Sequence, residues 1–215
     1  MLETVLILAA AAAGVTGAWS PCGFSMVETL APHGYAGRLR TTLAACLTFS
    51  LGALAGGAAT FGGLALLGHA LGAGAPAVGA ALALAAAVGE ARGARILPQV
   101  RRQVPESWRR RMPVPLAAGL YGVLLGLGFT TFILTFAVWA LAGVSVAVGD
   151  PALGLAVGLA FGAGRLLPVI ALAPTAGTER GSALHAAMAE RPRILRSLRA
   201  IDAVAMAALA VVLVT

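Results

Sequence analysis

The chain has 215 residues, of which 60% are hydrophobic and 11% are charged, and its mean hydropathy is +0.93. Soluble domains carry about 25% charged and about 45–50% apolar residues, so this composition excludes a water-soluble globule, a disordered chain and a collagen-like chain. The 15 basic residues are all arginine and outnumber 8 acidic ones, which gives a formal net charge of +7.

Six stretches have the length and composition of membrane crossings, which need about 20 mostly apolar residues. In chain order they are Leu2–Pro32, Thr41–Leu71, Pro76–Leu97, Val114–Val148, Ala152–Pro174 and Ile201–Thr215. Because the sixth is short, we expect its helix to begin within Arg193–Arg199. The first is not typical of a signal peptide, since it opens without a positive charge and continues past any cleavage point. The sequence therefore predicts an all-α integral membrane protein with one transmembrane domain over residues 1–215.

The arginines indicate the orientation of these crossings. All but Arg165 lie at or between stretches one and two, three and four, or five and six, whereas 68–76 and 145–151 carry none. The positive-inside rule places the basic loops in the cytoplasm and both termini outside a bacterial cytoplasmic membrane. Arginines distributed in this way favour the lipid bilayer as the partner and argue against nucleic-acid binding.

Three crossings followed by three crossings orient the second half upside down relative to the first. Halves at about 1–100 and 113–215 would then be inverted repeats, an architecture of many transporters with sites at broken helices. A weak similarity between Trp19–Phe24 in the first stretch and Phe129–Phe132 in the fourth agrees with that duplication.

The first stretch contains the candidate site. Pro21 lacks a backbone N–H and Gly23 adds flexibility, so we expect a broken or kinked helix with Ser20, Cys22 and Glu28 in or beside the break. Exposed backbone at membrane depth is tolerated only where protein buries it or a cavity adjoins it, and this favours Cys22 as a reactive thiol. The alternative is a small apolar residue in a helix contact.

The second cysteine and the histidines carry weaker signals. Cys46 has no proline, glycine or charge beside it, so packing is the favoured interpretation, with a second thiol as the alternative. The three histidines lie in different loops without the spacing of metal ligands, and we expect neither a metal nor another cofactor.

Arg165 lies in the middle of the fifth stretch, between glycines and Pro168, which we expect to kink the helix. A charge at that depth is expensive and by default suggests function, so Arg165 and Glu28 are candidates for electrostatic or substrate-binding roles. The alternatives are an arginine that reaches the lipid headgroups or pairs internally with Glu28 or Glu90.

Ser20-Pro21-Cys22, Phe49–Ala53 and Gly162–Pro168 resemble the membrane thiol-disulfide family of CcdA and the central domain of DsbD. The resemblance implies six crossings in inverted halves, Cys22 as the catalytic thiol, and thioredoxin-like partners on either side of the membrane. It also implies the transfer of reducing equivalents across the membrane for the maturation of cytochrome c or exported redox proteins.

The sequence departs from that family at Thr131-Phe132, where a second Pro-Cys is expected. A relay of two electrons requires two thiols, so Cys46 would have to supply the second. The resulting hypothesis is a CcdA-like protein that handles thiols, a thiol-disulfide oxidoreductase if it is an enzyme. The alternatives are a small-solute transporter of the same architecture and a non-catalytic assembly factor.

Overall fold

Helices make up all the regular secondary structure in the residues that the computed structural model describes, which are 1–30, 39–93, 108, 111–131, 133–190 and 192–215. A helix satisfies its own backbone hydrogen bonds, as a chain of this apolar composition must do in lipid. The α-helices are α1 (Leu2–Ala18), α2 (Pro21–Leu30), α3 (Leu39–Gly57), α4 (Gly63–Ala70), α5 (Pro76–Ala91), α6 (Val114–Leu127), α7 (Ala137–Val148), α8 (Pro151–Leu172), α9 (Glu179–Glu190) and α10 (Pro192–Val214).

Among the described residues, three continuous helical segments are long and apolar enough to cross a membrane: Leu39–Ala70, Pro151–Thr175 and Arg193–Val214. They coincide with the second, fifth and sixth predicted stretches. The last helix begins at Pro192, ahead of the arginine-rich segment in which its start was expected. The all-helical fold is therefore confirmed for the described residues, and three helical segments have the length and hydropathy that the predicted membrane location requires.

The other three predicted stretches consist of shorter apolar helices. The first divides into α1 and α2 on either side of Trp19 and Ser20, and the third, α5, ends at Ala91. The last residues of the third stretch, 94–97, lie outside the described residues. The fourth is divided between α6 and α7 by the segment 128–136.

The division of the fourth stretch begins at Gly128, whose φ of 77° is left-handed and favours glycine. Two threonine hydroxyls then donate to carbonyl groups in the last turn of α6, where the helix supplies no further amide donors of its own. Thr130 Oγ1 donates to the carbonyl oxygen of Leu124 at 2.5 Å, and Thr60 Oγ1 donates to that of Leu127 at 3.1 Å. The sequence analysis did not anticipate this break, because the segment contains no proline.

The helices pack in pairs across the two halves of the chain: α3 on α6, α1 on α8, and α5 on α10. Between α3 and α6, a Cβ atom added at Gly52 would lie 2.2 Å from the carbonyl oxygen of Gly119, and one at Gly126 would lie 2.1 Å from that of Ala53. The two backbones therefore touch, which is the way small residues stabilise helix pairs in lipid.

A π-helical turn over Ala58–Gly62 joins α3 to α4, so the second stretch is one helical rod with a local change of winding. Such turns contain one residue more per turn than the α-helix and are frequent near functional positions. Thr60, the hydroxyl donor to α6 described above, lies within this turn.

Candidate functional site

The arginine that the sequence singled out lies between the two interrupted stretches. Arg165 is on α8 and is completely buried. Its Nη1 donates to Thr131 Oγ1 at 3.0 Å, and Thr131 belongs to the segment between α6 and α7. The guanidinium carbon lies 5.2 Å from the ring centroid of Phe161, within the range of a cation–π contact. We call Arg165, Thr131, Phe161 and the adjoining Gly17 the Arg165 site.

Local chemistry accounts for the interruption between α1 and α2. The Ser20 hydroxyl accepts a hydrogen bond from the Gly23 amide at 3.3 Å, the geometry of an N-terminal helix cap. Pro21 is the first residue of α2, where its missing N–H removes no helical hydrogen bond. Gly23 is required by space, because a Cβ atom there would lie 2.0 Å from the carbonyl oxygen of Ala18.

A second buried polar group lies where α5, α10 and the start of α7 meet. Glu90 Oε1 accepts hydrogen bonds from Thr135 Oγ1, at 2.6 Å, and from the Phe136 amide. Glu90 Oε2 accepts from Arg199 Nε at 2.5 Å. The Glu90 carboxylate thus lies at the N-terminal end of α7, where the helix dipole favours negative charge, and it also neutralises Arg199.

Asp202 follows Arg199 by one turn of α10 and is completely buried. The hydroxyls of Thr16 on α1 and of Thr135 lie beside it, and Glu90 is near enough to interact electrostatically. We call Glu90, Thr135, Arg199, Asp202 and Thr16 the Glu90 cluster. Its members come from both halves of the chain.

The candidate residues of the first two stretches are spread over several places. Glu28 is exposed on α2 and lines a cavity of about 380 Å³ that Thr175, Thr178 and Glu179 also line. Cys46 is half-buried on α3 and carries a free thiol. Cys22 falls in the first turn of α2, but its side chain lies outside the described part of the chain.

Pro168 lies inside α8, three residues after Arg165. It lines a small crevice together with Gly23 and Trp19, so the proline of the fifth stretch adjoins the break in the first. Of the two carboxylates considered for Arg165, Glu90 is bonded to Arg199 instead.

Sequence analysis missed the Glu90 cluster. A signal was present, because Asp202 is the one charged residue in the stretch 201–215, and the rule applied to Arg165 applies to it equally. Thr131 and Thr135 offered no such signal, since a threonine in an apolar stretch usually bonds to its own helix.

Similar proteins share a single name. The chain is 38% identical to the methylamine utilization protein MauF of Paracoccus versutus over 180 residues, covering 77% of this chain and 63% of that protein. It is 37% identical to MauF of Paracoccus denitrificans, covering 78% and 63%, and 35% identical to MauF of Methylorubrum extorquens, covering 73% and 58%. The chain thus spans less than two thirds of these relatives. No family model and no solved structure matches it.

These relatives correct the functional hypothesis. The resemblance to CcdA and DsbD was wrong, since the proteins at 31–38% identity are methylamine utilization proteins MauF. The predicted thiol-disulfide exchange and the role in cytochrome c maturation are therefore wrong as well, and nothing supports the transporter or assembly-factor alternatives. Ser-Pro-Cys misled because a serine cap followed by proline is also an ordinary way to start a helix. The thioredoxin-like partners rested on the thiol function and stay a prediction.

Proposed function

We propose that this chain is a membrane-embedded component of methylamine utilization. The observation that carries the proposal is the identity of up to 38% to proteins named for that process, over 77% of this chain. The three helices with the length and hydropathy of membrane spans support the membrane location.

Six crossings in two inverted halves are part of this proposal. The first crossing would be α1 with α2, the second α3 with α4, the third α5, the fourth α6 with α7, the fifth α8 and the sixth α10. A two-fold rotation that exchanges the halves relates crossing one to four, two to five and three to six. It therefore superposes the pair of crossings two and four on the pair of crossings five and one. Both pairs are extensive contacts, and crossings one and four are the two interrupted ones, as the symmetry requires.

The orientation follows from charge. Fourteen of the fifteen arginines fall in alternate connections, so both termini lie outside the cytoplasmic membrane of a bacterium. A reporter fused after Thr215 should be active outside the membrane. A reporter that is active in the cytoplasm would contradict this orientation.

In this proposal, the function of the protein depends on the charged side chains in its interior. A charge within the apolar layer costs several kcal/mol unless it is paired, so such residues are retained where they act. The Arg165 site joins α8 to the interruption of the fourth crossing, and the Glu90 cluster joins the third crossing to the sixth. We therefore expect substitutions that impair methylamine-dependent growth to concentrate at these two places.

Complementation tests the proposal. A Paracoccus denitrificans strain without its MauF protein would receive either this chain or a hybrid in which this chain replaces the matching segment of the resident protein. The hybrid is needed because the match covers 63% of that relative. At least one of the two should restore growth on methylamine, with growth on succinate as the control. If both proteins accumulate in the membrane and neither restores growth, the proposal is wrong.

A further inference from the structure

The Asp202 carboxyl group is wholly buried, and among the described residues no donor meets Oδ1 or Oδ2 in good hydrogen-bond geometry. The hydroxyls of Thr135 and Thr16 lie near enough to interact with the carboxyl group but do not form well-aligned hydrogen bonds to it. A hydroxyl carries a single proton, and that of Thr135 is donated to Glu90 at 2.6 Å. Buried polar atoms nearly always have a hydrogen-bond partner. A buried carboxyl group without a well-formed hydrogen bond at either oxygen therefore requires an explanation.

The charged groups around Asp202 would not stabilise a second carboxylate beside that of Glu90. Glu90 faces it from α5, and Arg199 lies one turn earlier on α10. The Arg199 Nε group is already bonded to Glu90 Oε2. Within the described part of the chain, the other packed elements present the Thr16 hydroxyl from α1 and the Thr135 hydroxyl ahead of α7, and α7 itself has no titratable residue. The helix before α10 ends at Glu190, about three turns away along the chain.

The space around the carboxyl group of Asp202 limits which cation can bind to it. Its exposure is 0%, which means that no sphere of the size of a water molecule touches its side chain. An alkylammonium ion would need such a space against the oxygens, and a sodium ion would need several oxygen ligands arranged around it. A proton needs none, and the acid that it forms can donate a hydrogen bond to a threonine hydroxyl oxygen, which has two acceptor lone pairs.

We infer that Asp202 is a proton-binding site inside the membrane, held as the neutral acid at neutral pH beside the Glu90–Arg199 ion pair. The bound proton makes the Glu90 cluster electrically neutral: one carboxylate, one guanidinium and one carboxylic acid. Release of the proton would leave a net negative charge between α1, α5 and α10. The inference rests on the proposed membrane location but not on methylamine utilization, because it depends on the burial, hydrogen bonding and charges of the Glu90 cluster.

Infrared spectroscopy can test this site directly because the chain has two aspartates, Asp150 and Asp202. Asp150 caps α8 at a solvent-exposed position, where its Oδ1 accepts hydrogen bonds from the Ala152 and Leu153 amides as a carboxylate does. The purified full chain, with carbon-13 in the aspartate carboxyls, would be measured at neutral pH in lipid nanodiscs. We expect one isotope-shifted band of a protonated carboxyl group that persists in Asp150→Asn and disappears in Asp202→Asn.

Absence of that band in the native chain at neutral pH would overturn the proposal. So would its removal by added Na⁺ or methylammonium at constant pH, because the site would then take a larger cation than a proton. If Asp202→Asn does not fold, the native chain alone suffices: the isotope-shifted acid band must be lost as the pH is raised. Retention of the band in a folded Asp202→Asn protein would assign it to another group and also refute the inference.

Thermal unfolding provides a second readout. Because the folded chain would hold one proton more than the unfolded chain at neutral pH, the stability of the native protein should fall as the pH rises. Asp202→Asn cannot ionise, so at neutral pH it should melt within about 3 °C of the native protein and show less of that alkaline loss. A variant much less stable than the native protein at neutral pH, with the alkaline loss unchanged, would contradict the assignment.

Discussion

Gly17 on α1 provides the space that the guanidinium group of Arg165 occupies. A Cβ atom at position 17 would lie 2.6 Å from Arg165 Nη2 and 2.8 Å from its guanidinium carbon. The arginine of α8 is thus accommodated by the absence of a side chain at position 17 of α1. Both residues are buried, so neither can move aside without disturbing the packing of α1 on α8.

Gly17→Ala should therefore destabilise the protein by about 1–3 kcal/mol, the usual cost of an added methyl group in a filled interior. Gly63→Ala is the matched control, because a Cβ atom at position 63 meets nothing within 4 Å. The control should be neutral or slightly stabilising, since alanine favours a helix over glycine by up to about 1 kcal/mol. Thermal unfolding in detergent measures both. Equal melting temperatures for the two variants would show that Gly17 is not needed for Arg165.

The Thr131 hydroxyl accepts a hydrogen bond from Arg165 Nη1. Thr131→Val removes this acceptor from a buried charged donor, so it should lower the free energy of unfolding by about 1–3 kcal/mol. Thr131→Ser retains the hydroxyl and should stay close to the native protein. Growth on methylamine, in the complementation strain, should fall with the valine variant and not with the serine variant. A valine variant as stable and as active as the native chain would contradict the role given to this contact.

The Glu90–Arg199 ion pair predicts strong coupling between α5 and α10. Removal of one partner, by Glu90→Gln or Arg199→Gln, should cost about 3–5 kcal/mol because the other charge stays buried. The double variant should cost much less than the sum of the two. The exposed Glu3 provides the control, since Glu3→Gln should change stability by no more than about 0.5 kcal/mol. Additive losses in the double variant would show that the pair does not act as a unit.

The contact between α3 and α6 predicts that two glycines on one helix differ sharply in their tolerance of alanine. A Cβ atom at Gly126 would lie 2.1 Å from the carbonyl oxygen of Ala53, whereas one at Gly119 would be 3.4 Å from the Cβ of Thr48. Gly126→Ala should force the backbones apart and cost more than about 1 kcal/mol, and Gly119→Ala should be tolerated. Unfolding midpoints and the yield of protein in the membrane would measure the difference. Equal behaviour would exclude direct backbone contact there.

Much of the fold could be predicted because apolar length alone identifies a membrane helix. The segments Leu39–Ala70 and Pro151–Thr175 match their predicted stretches within two residues at each end. The interruption between α6 and α7 was not predicted, since Gly128 is one of 28 glycines and nothing in the sequence distinguishes a left-handed glycine from one that packs helices.

The candidate site was predictable only in part. Arg165 stood out as a charge in an apolar stretch, and its burial agrees with that signal. Its acceptor Thr131 lies 34 residues away, and the Glu90 partner Arg199 lies 109 residues away. Such pairs depend on which helices meet, and a single sequence carries no information about that. Asp202 was overlooked although its own stretch shows the same signal as Arg165.

The π-helical turn at Ala58–Gly62 changes which helices α3 and α4 contact along one continuous segment. One surplus residue shifts the angular phase of everything that follows by about 100°, the rotation that each residue contributes to a helical wheel. The stripe by which α3 meets α6 is therefore not continued in α4, which meets α7 and α8 instead. Deletion of Ala59 would restore uniform winding, and it would swing Gly68 away from the Val146 carbonyl oxygen against which it is closely packed.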